Sequence, residues 1–385
     1  MFSFIKMETN NNVLKEKINN NLSDLSSELV RSSNCVMRTS MDRLIMVKRI
    51  HNIMLDVKQA IQNPKISKIK IIKPIWSNCQ FQERLYLMKT GEGLKFQSVP
   101  SKTGLLFLIK ILSKLLKLIS FGSSVTKREF YYQNIAIIKS MDELDNSLQF
   151  ISSLLDVPPW DFGILSSSKG IVAGSLNIAT KSGNIDCSGG EGVLIPNDLP
   201  FGATLTSSAK FALVIEKYAA FQKIINEEFL KHHGPCIIIT AKGFPDLNTR
   251  ILLKLISVQL SVPIFSLVDA DPYGIEIMSV YRFGSLSYVH LCDILAVPSI
   301  KWIGIHPSDI TDFFPKAQIM STQDVKKANK LLTRPFISEN EALKDQVKLM
   351  IQLGLKTEIE GIGTISNSYL TDVYIPMKLA SKGWI

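Results

Sequence analysis

The sequence has no Cys-x-x-Cys pair. Its five cysteines, Cys35, Cys79, Cys187, Cys236 and Cys292, stand far apart. Zinc-ribbon spacing is therefore excluded. An odd number of scattered thiols fits a reducing compartment, cytosolic or nuclear, and not a disulfide scaffold. The opening "MFSFIKMETNNN" has no apolar core long enough for a signal peptide. No Walker motif or other ATP-binding signature is found, and no internal repeat. An uninterrupted membrane-length run is missing as well. The most apolar stretch, Gly104 to Ser120, carries Lys110, Lys114 and Lys117 at i, i+4, i+7 spacing. Three lysines through the centre of a membrane span are too costly. A helix with a lysine face, packed on a domain, is the preferred reading over a membrane-surface helix.

What is present is ordinary globular composition, 46% hydrophobic and 20% charged. At 385 residues, two or more domains are expected. The net charge of +10 is unevenly spread. Residues 1–150 carry 23 Lys and Arg against 12 Asp and Glu, whereas residues 151–385 carry 21 against 22. A cationic front to the chain favours a polyanion such as nucleic acid or an acidic membrane surface.

Residues 1 to about 40 are rich in Asn, Ser and Lys and read as a weakly ordered arm with one helix. Residues 40–62 have helical periodicity, and "IKIIKPIW" reads as a short strand. Three helices are expected over 104–157. The second, "TKREFYYQNIAII", opens with Thr126 as N-cap and Glu129 three residues on, which is capping-box spacing. "ILSSSKGIVAGSL" reads as a β-ribbon, so that three helices and a ribbon make a winged helix-turn-helix. The Gly- and Pro-rich stretch 181–207 marks a domain boundary. Beyond it "FALVIE", "CIIIT" and "PIFSLVDAD" alternate with helical segments, the signature of parallel βαβ units, and "IKWIGIHPSDI" supplies a fourth strand. The fold class is therefore mixed α/β. The divisions are a partly flexible arm and helix over 1–70, a winged-helix DNA-binding domain over 71–200, and a metal-binding α/β domain with a C-terminal extension over 205–385.

Two of these apolar strands end in acids. "LVIE" ends at Glu216, and "SLVDADPYG" supplies Asp269, Asp271 and then Gly274. In open parallel sheets, ligands bind beyond the carboxyl ends of strands. Three carboxylates meeting there repel one another unless a cation holds them. Oxygen-only donors favour magnesium or manganese. A strand and Glu, then a strand and DxDxxG, resembles the Toprim domain of topoisomerases, primases and some nucleases. Where many Toprim domains have Gly after the Glu, this chain has Lys217, as the type IIB topoisomerase branch commonly does.

In "TKREFYYQN", Lys127 and Arg128 precede Tyr131 and Tyr132, and on a helix Arg128 shares a face with Tyr132. A phenol with a pKa near 10 is a poor nucleophile at neutral pH; a guanidinium beside it stabilises the phenolate and grips phosphate. Taken alone, such a pair is also an ordinary half-buried helix position. "KREFYY" resembles the Arg-Asp/Glu-x-aromatic-Tyr signature of the topoisomerase VI A-subunit family, with Phe130 where Ile or Val is more usual. "LSSSKGIVAGSL", "LVIEKYAAF", "AKGFPDLNTR", "VDADPYGIEIM" and "IKWIGIHPSDI" follow in family order, covering roughly 100–385. "KGFPDLNTR" and "GIHPSD" resemble the eukaryotic meiotic branch more than the archaeal one. Ala241 replaces a family Gly before Lys242 and Gly243.

The resemblance implies Tyr132 as nucleophile, Arg128 as its basic partner and Tyr131 as a non-nucleophilic neighbour. It implies a 5′-phosphotyrosyl intermediate on double-stranded DNA, and Mg²⁺ or Mn²⁺ at Glu216, Asp269 and Asp271. It also implies a homodimer or A2B2-like assembly with a topoisomerase VI B-like ATPase on a separate chain, in the nucleus and away from membranes. Lys127, Lys169 and Lys242 are candidate DNA-backbone contacts, with solvated surface charge as the alternative. His306 reads as a structural histidine, His232 and His233 as a solvated helix end, and Glu276 as helix surface. The rival readings are a Toprim nuclease that uses water, with Tyr132 structural, and a non-catalytic DNA-binding scaffold.

Overall fold

The computed structural model describes residues 11–32, 41–63, 69–99, 101–313 and 317–385. Much of the expected arm, residues 1–10 and 33–40 with Cys35, lies outside them. The chain divides into two compact units. One is Met37–Ser167 with Gly284–Leu295; the other is Met1–Val36 with Ser168–Phe283 and Ala296–Ile385. Two long helices open the described chain, α1 (Asn11–Ser32) and α2 (Arg43–Gln62), and they belong to different units.

The first unit is built on α2 and three further helices, α3 (Lys102–Phe121), α4 (Lys127–Gln133) and α5 (Met141–Leu155). In α3 an apolar residue recurs every third or fourth place, and Leu105, Leu108, Leu112, Leu115 and Ile119 are buried. Lys110 and Lys117 are exposed and Lys114 half-buried. Ser101 caps the start through the Gly104 amide at 3.0 Å, and Gly122, at φ +62, ends the helix in the left-handed conformation. Among the described residues no helix is long and apolar enough to cross a membrane. α2 packs along α3, and Met46, Ile50, Leu112, Phe130, Leu148 and Phe162 share one core. Short strands flank the helices. β1 (Lys70–Ile72) pairs with β4 (Phe96–Ser98), β2 (Cys79–Gln82) with β3 (Arg84–Leu87), and β5 (Val125–Thr126) with β6 (Ile164–Leu165).

The expected ribbon over 164–176 is not a wing. Its first half, β6, pairs in parallel with β5, and its second half, β7 (Ile171–Gly174), enters the large sheet of the second unit. Burial explains the difference: Val172 and Ala173 are wholly inaccessible, whereas a wing keeps one face in water. Gly174, at φ +109, permits the approach, because a Cβ there would stand 2.2 Å from the Cys236 carbonyl oxygen. The division between units accordingly falls at Ser167/Ser168 and not within 181–207. The stretch 181–207 instead carries three short strands, of which β9 (Gly183–Asp186) forms a hairpin with the preceding β8 (Asn177–Thr180).

The six-stranded sheet of the second unit has the order β10–β7–β13–β12–β14–β15, where β10 is Val193–Leu194, β12 Ala212–Ile215, β13 Ile237–Thr240, β14 Ile264–Leu267 and β15 Lys301–Gly304. A further strand, β11 (Thr204–Thr206), pairs with β8 outside this sheet. β13, β12, β14 and β15 run parallel, as the alternating pattern predicts, while β7 and β10 extend the sheet antiparallel. β12, β13 and β14 are buried at every residue, which accounts for their unbroken apolar runs. The connections are α6 (Tyr218–Asn226) with α7 (Phe229–His233), then α8 (Leu247–Leu255), then α9 (Pro272–Arg282).

From β12 the chain moves to one side, to β13. From β14 it moves to the other, to β15. The strand order therefore reverses between β12 and β14, and their carboxyl ends form the topological switch point. The expected N-terminal helix is also present. α1 packs on the last helix, Ile375–Ala380, burying Ile18 and Leu22, and the Asn21 amide donates to the carbonyls of Leu379 and Ala380.

Candidate active site

Register aligns the acids before any side chain is considered. Ile215 stands opposite both Thr240 and Leu267, so Glu216 and Asp269 leave the sheet at nearly the same level, at the switch point. The Asp269 amide donates to Glu216 Oε2 at 2.9 Å. Asp271 is the N-cap of α9 and accepts from the Gly274 amide at 2.6 Å. Gly274 is required here: a Cβ would stand 2.4 Å from the Asp269 carbonyl and 3.0 Å from Glu216 Oε2. Glu216 and Asp269 are buried and Asp271 half-buried. Burial raises the pKa of all three, and the charge of Asp269 adds to the rise at Glu216. Such a cluster carries more negative charge than its surroundings accommodate.

Lys217, adjacent to Glu216, supplies the cation that is present. Its Nζ lies 2.9 Å from Asp269 Oδ2, 2.8 Å from Glu358 Oε2 and 3.2 Å from Glu360 Oε2. The segment carrying those glutamates runs beside the site. Ala270 and Thr357 exchange backbone hydrogen bonds, and the Ile359 amide donates to Asp269 Oδ1 at 2.8 Å. Lys356 pairs with Asp324 at 2.8 Å. Sequence reasoning missed Glu358 and Glu360. "TEIE" has no motif, and only the folded register brings it to Asp269, ninety residues away.

The donor chemistry, all oxygen, anionic and buried, fits a hard divalent cation. Among the described residues, however, no group of three or more Asp, Glu, His or Cys side chains stands arranged to hold a metal ion. Lys217 and the Ile359 amide already take both oxygens of Asp269.

The tyrosines lie in the other unit, on α4. Thr126 caps this helix, accepting from the Glu129 amide at 3.1 Å. The expected capping box is half made: Glu129 turns its carboxylate to the Gln133 amide group at 3.1 Å. Phe130 points into the core and is 2% exposed, Tyr131 packs against that core, and Tyr132 is 59% exposed. The Tyr131 and Tyr132 rings meet edge to face at 5.4 Å. Burying Phe130 thus turns Tyr132 outward, with exposed Arg128 one helical turn earlier on the same face. Lys127 is engaged differently, in an ion pair with Asp145 at 2.7 Å.

Lys169 and Lys242 are exposed in the second unit. The amides of Lys169 and Gly170 donate to Asp246 Oδ2 at 3.1 and 3.2 Å, tying that turn to the start of α8. Lys242 has a left-handed backbone, φ +58, and its Nζ lies 4.6 Å from the centre of the Tyr218 ring. His306 is buried and hydrogen-bonded to the Trp302 carbonyl at 2.9 Å, a structural role. Glu276 pairs with Lys327.

Residues 211–379 match the family model for the Toprim domain of Spo11 and the topoisomerase 6 A-subunit, and residues 104–164 match "Type IIB DNA topoisomerase". The meiotic recombination protein SPO11 of Mus musculus is 34% identical over 346 residues, which cover 87% of this chain and 87% of the relative. The Homo sapiens protein of the same name matches to the same extent. The DNA topoisomerase 6 A-subunit of Arabidopsis thaliana is 32% identical over 308 residues, 79% of this chain and 72% of the relative. With two family models matched and a third of its residues shared along most of its length, the chain belongs to the family of Spo11 and the topoisomerase 6 A-subunit.

Proposed function

We propose that this protein cuts double-stranded DNA by transesterification, making the double-strand breaks of meiotic recombination in the nucleus. The observation that carries the reading is Tyr132. It is a water-facing phenol on a capped helix, with Arg128 on its face, in a chain whose second unit carries Glu216, Asp269 and Asp271 beyond the strand ends of a sheet switch point. A tyrosine kept for packing would be turned inward, as Phe130 is.

In the proposed step, Tyr132 Oη loses its proton and attacks a backbone phosphorus. The phosphorus–O3′ bond breaks and a 5′-phosphotyrosyl ester forms, while the 3′ oxygen leaves and takes up a proton. No water enters, so the energy of the phosphodiester is retained and the step is reversible. Arg128 stabilises the phenolate and holds the phosphate beside it. Glu216, Asp269 and Asp271 would hold Mg²⁺, or Mn²⁺; when bound, such an ion supplies neutralisation of the phosphate and leaving-oxygen charge. Lys169 and Lys242 would bind the DNA backbone, and Lys127 supports α4 through Asp145 as well as adding positive charge. A homodimer provides two active sites, one per strand. The relatives named as A-subunits of topoisomerase 6 support a second kind of subunit as partner; the ATPase would lie on that chain, in an A2B2-like assembly.

The test is the chemistry of the cut end. DNA cleaved by the assembled protein and stopped with denaturant should carry protein at each 5′ end, released as a nucleotide-linked peptide on proteolysis. A free 5′-phosphate would instead establish a water-using nuclease.

A further inference from the structure

The Lys217 ammonium has three protons, and three carboxylate oxygens lie around it, one each from Asp269, Glu358 and Glu360, at 2.9, 2.8 and 3.2 Å. These partners differ in what they can do. Asp269 is buried and pinned by the Ile359 amide, whereas the side chains of Glu358 and Glu360 are 55% and 38% exposed and able to move. The backbone between them is fixed by the paired hydrogen bonds of Ala270 and Thr357. A divalent ion at Asp269 Oδ2 needs the place the ammonium now holds, and like charges repel at such range.

We propose that Lys217 is the resident counter-ion of Asp269, and that Glu358 and Glu360 are positioning residues which keep its ammonium when a divalent cation takes Asp269 Oδ2. The inference rests on the reading that Glu216, Asp269 and Asp271 bind such a cation. In the ion-free protein the ammonium offsets the buried charge of Asp269. When the ion enters, the ammonium swings toward the two glutamates, which already hold two of its three protons, and no backbone change is needed. Glu358 and Glu360 therefore act on the metal through Lys217 and not as ligands.

The experiment measures Mn²⁺ binding to the full chain by electron paramagnetic resonance of the free ion. High salt screens the long-range effect of removing charges. Asp269→Asn should abolish high-affinity binding. Glu358→Gln combined with Glu360→Gln should weaken it about tenfold, the scale on which residues supporting metal ligands act. Lys217→Met should bind at least as tightly as the parent. Adding both glutamine substitutions to Lys217→Met should then change affinity little. Thermal melts of each variant establish that it folds. Equal weakening by the glutamine pair with and without Lys217 would make the glutamates ligands and overturn the proposal, as would unchanged affinity in the glutamine pair alone. If the parent binds no Mn²⁺, or binds it independently of Asp269, the metal reading falls and the proposal with it.

Discussion

At the scale of single residues, burial decides which ionisable groups have chemistry to offer. It pushes the thiols of Cys79, Cys187 and Cys236 up to about 12, so they remain protonated and are poor nucleophiles. It works on His306 in the opposite direction. The ring lies between the Trp302 carbonyl and Lys378 Nζ, at 2.9 and 3.1 Å, and Lys378 pairs with Asp309 at 2.8 Å. Burial first, and the Lys378 charge second, lower its pKa to about 4, with Asp309 opposing. The sign follows. Between about pH 6.5 and 4 the unfolded chain binds a proton at this site and the folded chain does not, so stability is lost as pH falls. The full effect is roughly 3 kcal/mol. His306→Gln keeps a donor and an acceptor without the titration. Its melting temperature should fall less steeply than that of the parent over this range; parallel curves would show that His306 titrates normally.

At the scale of elements, legibility tracked local chemistry. α3 and α5 are readable because one face is apolar at helical spacing, and β12, β13 and β14 because both faces are buried. The acids beyond two of those strands are readable because parallel sheets place ligands there. β7 is different. As an apolar run next to a helical domain it resembles a wing, and only its pairing with β13 assigns it to the sheet. Glu358 and Glu360 are illegible for the same reason, since their contact with Lys217 is set by tertiary register. The helix bearing the tyrosines depends on a local cap, Thr126. Thr126→Ala should cost about 1 kcal/mol, read from denaturant melts, and should slow cleavage, while Thr126→Ser should restore both. Normal cleavage by an equally destabilised Thr126→Ala protein would separate the cap from the positioning of Tyr132.

At the scale of the whole molecule, Tyr132 and the three carboxylates lie in different compact units, and all of the net positive charge lies in the first 150 residues. DNA affinity should therefore fall steeply and linearly on a log–log plot against salt concentration, as counterion release requires. A salt-independent affinity would remove the basic front region from the account. The central claim concerns one oxygen atom. Tyr132→Phe deletes it and keeps the ring, at a surface position where such changes cost within about 0.5 kcal/mol. Tyr131→Phe makes the same deletion one residue earlier, on the ring that packs inward. The decisive measurement is the yield of covalent protein–DNA complex from each variant in the fully assembled, DNA-bound protein, with peptide mapping of the linked residue. The account predicts no complex from Tyr132→Phe, a measurable yield from Tyr131→Phe, and a nucleotide on Tyr132 in the parent. Parent-level complex from Tyr132→Phe would contradict it.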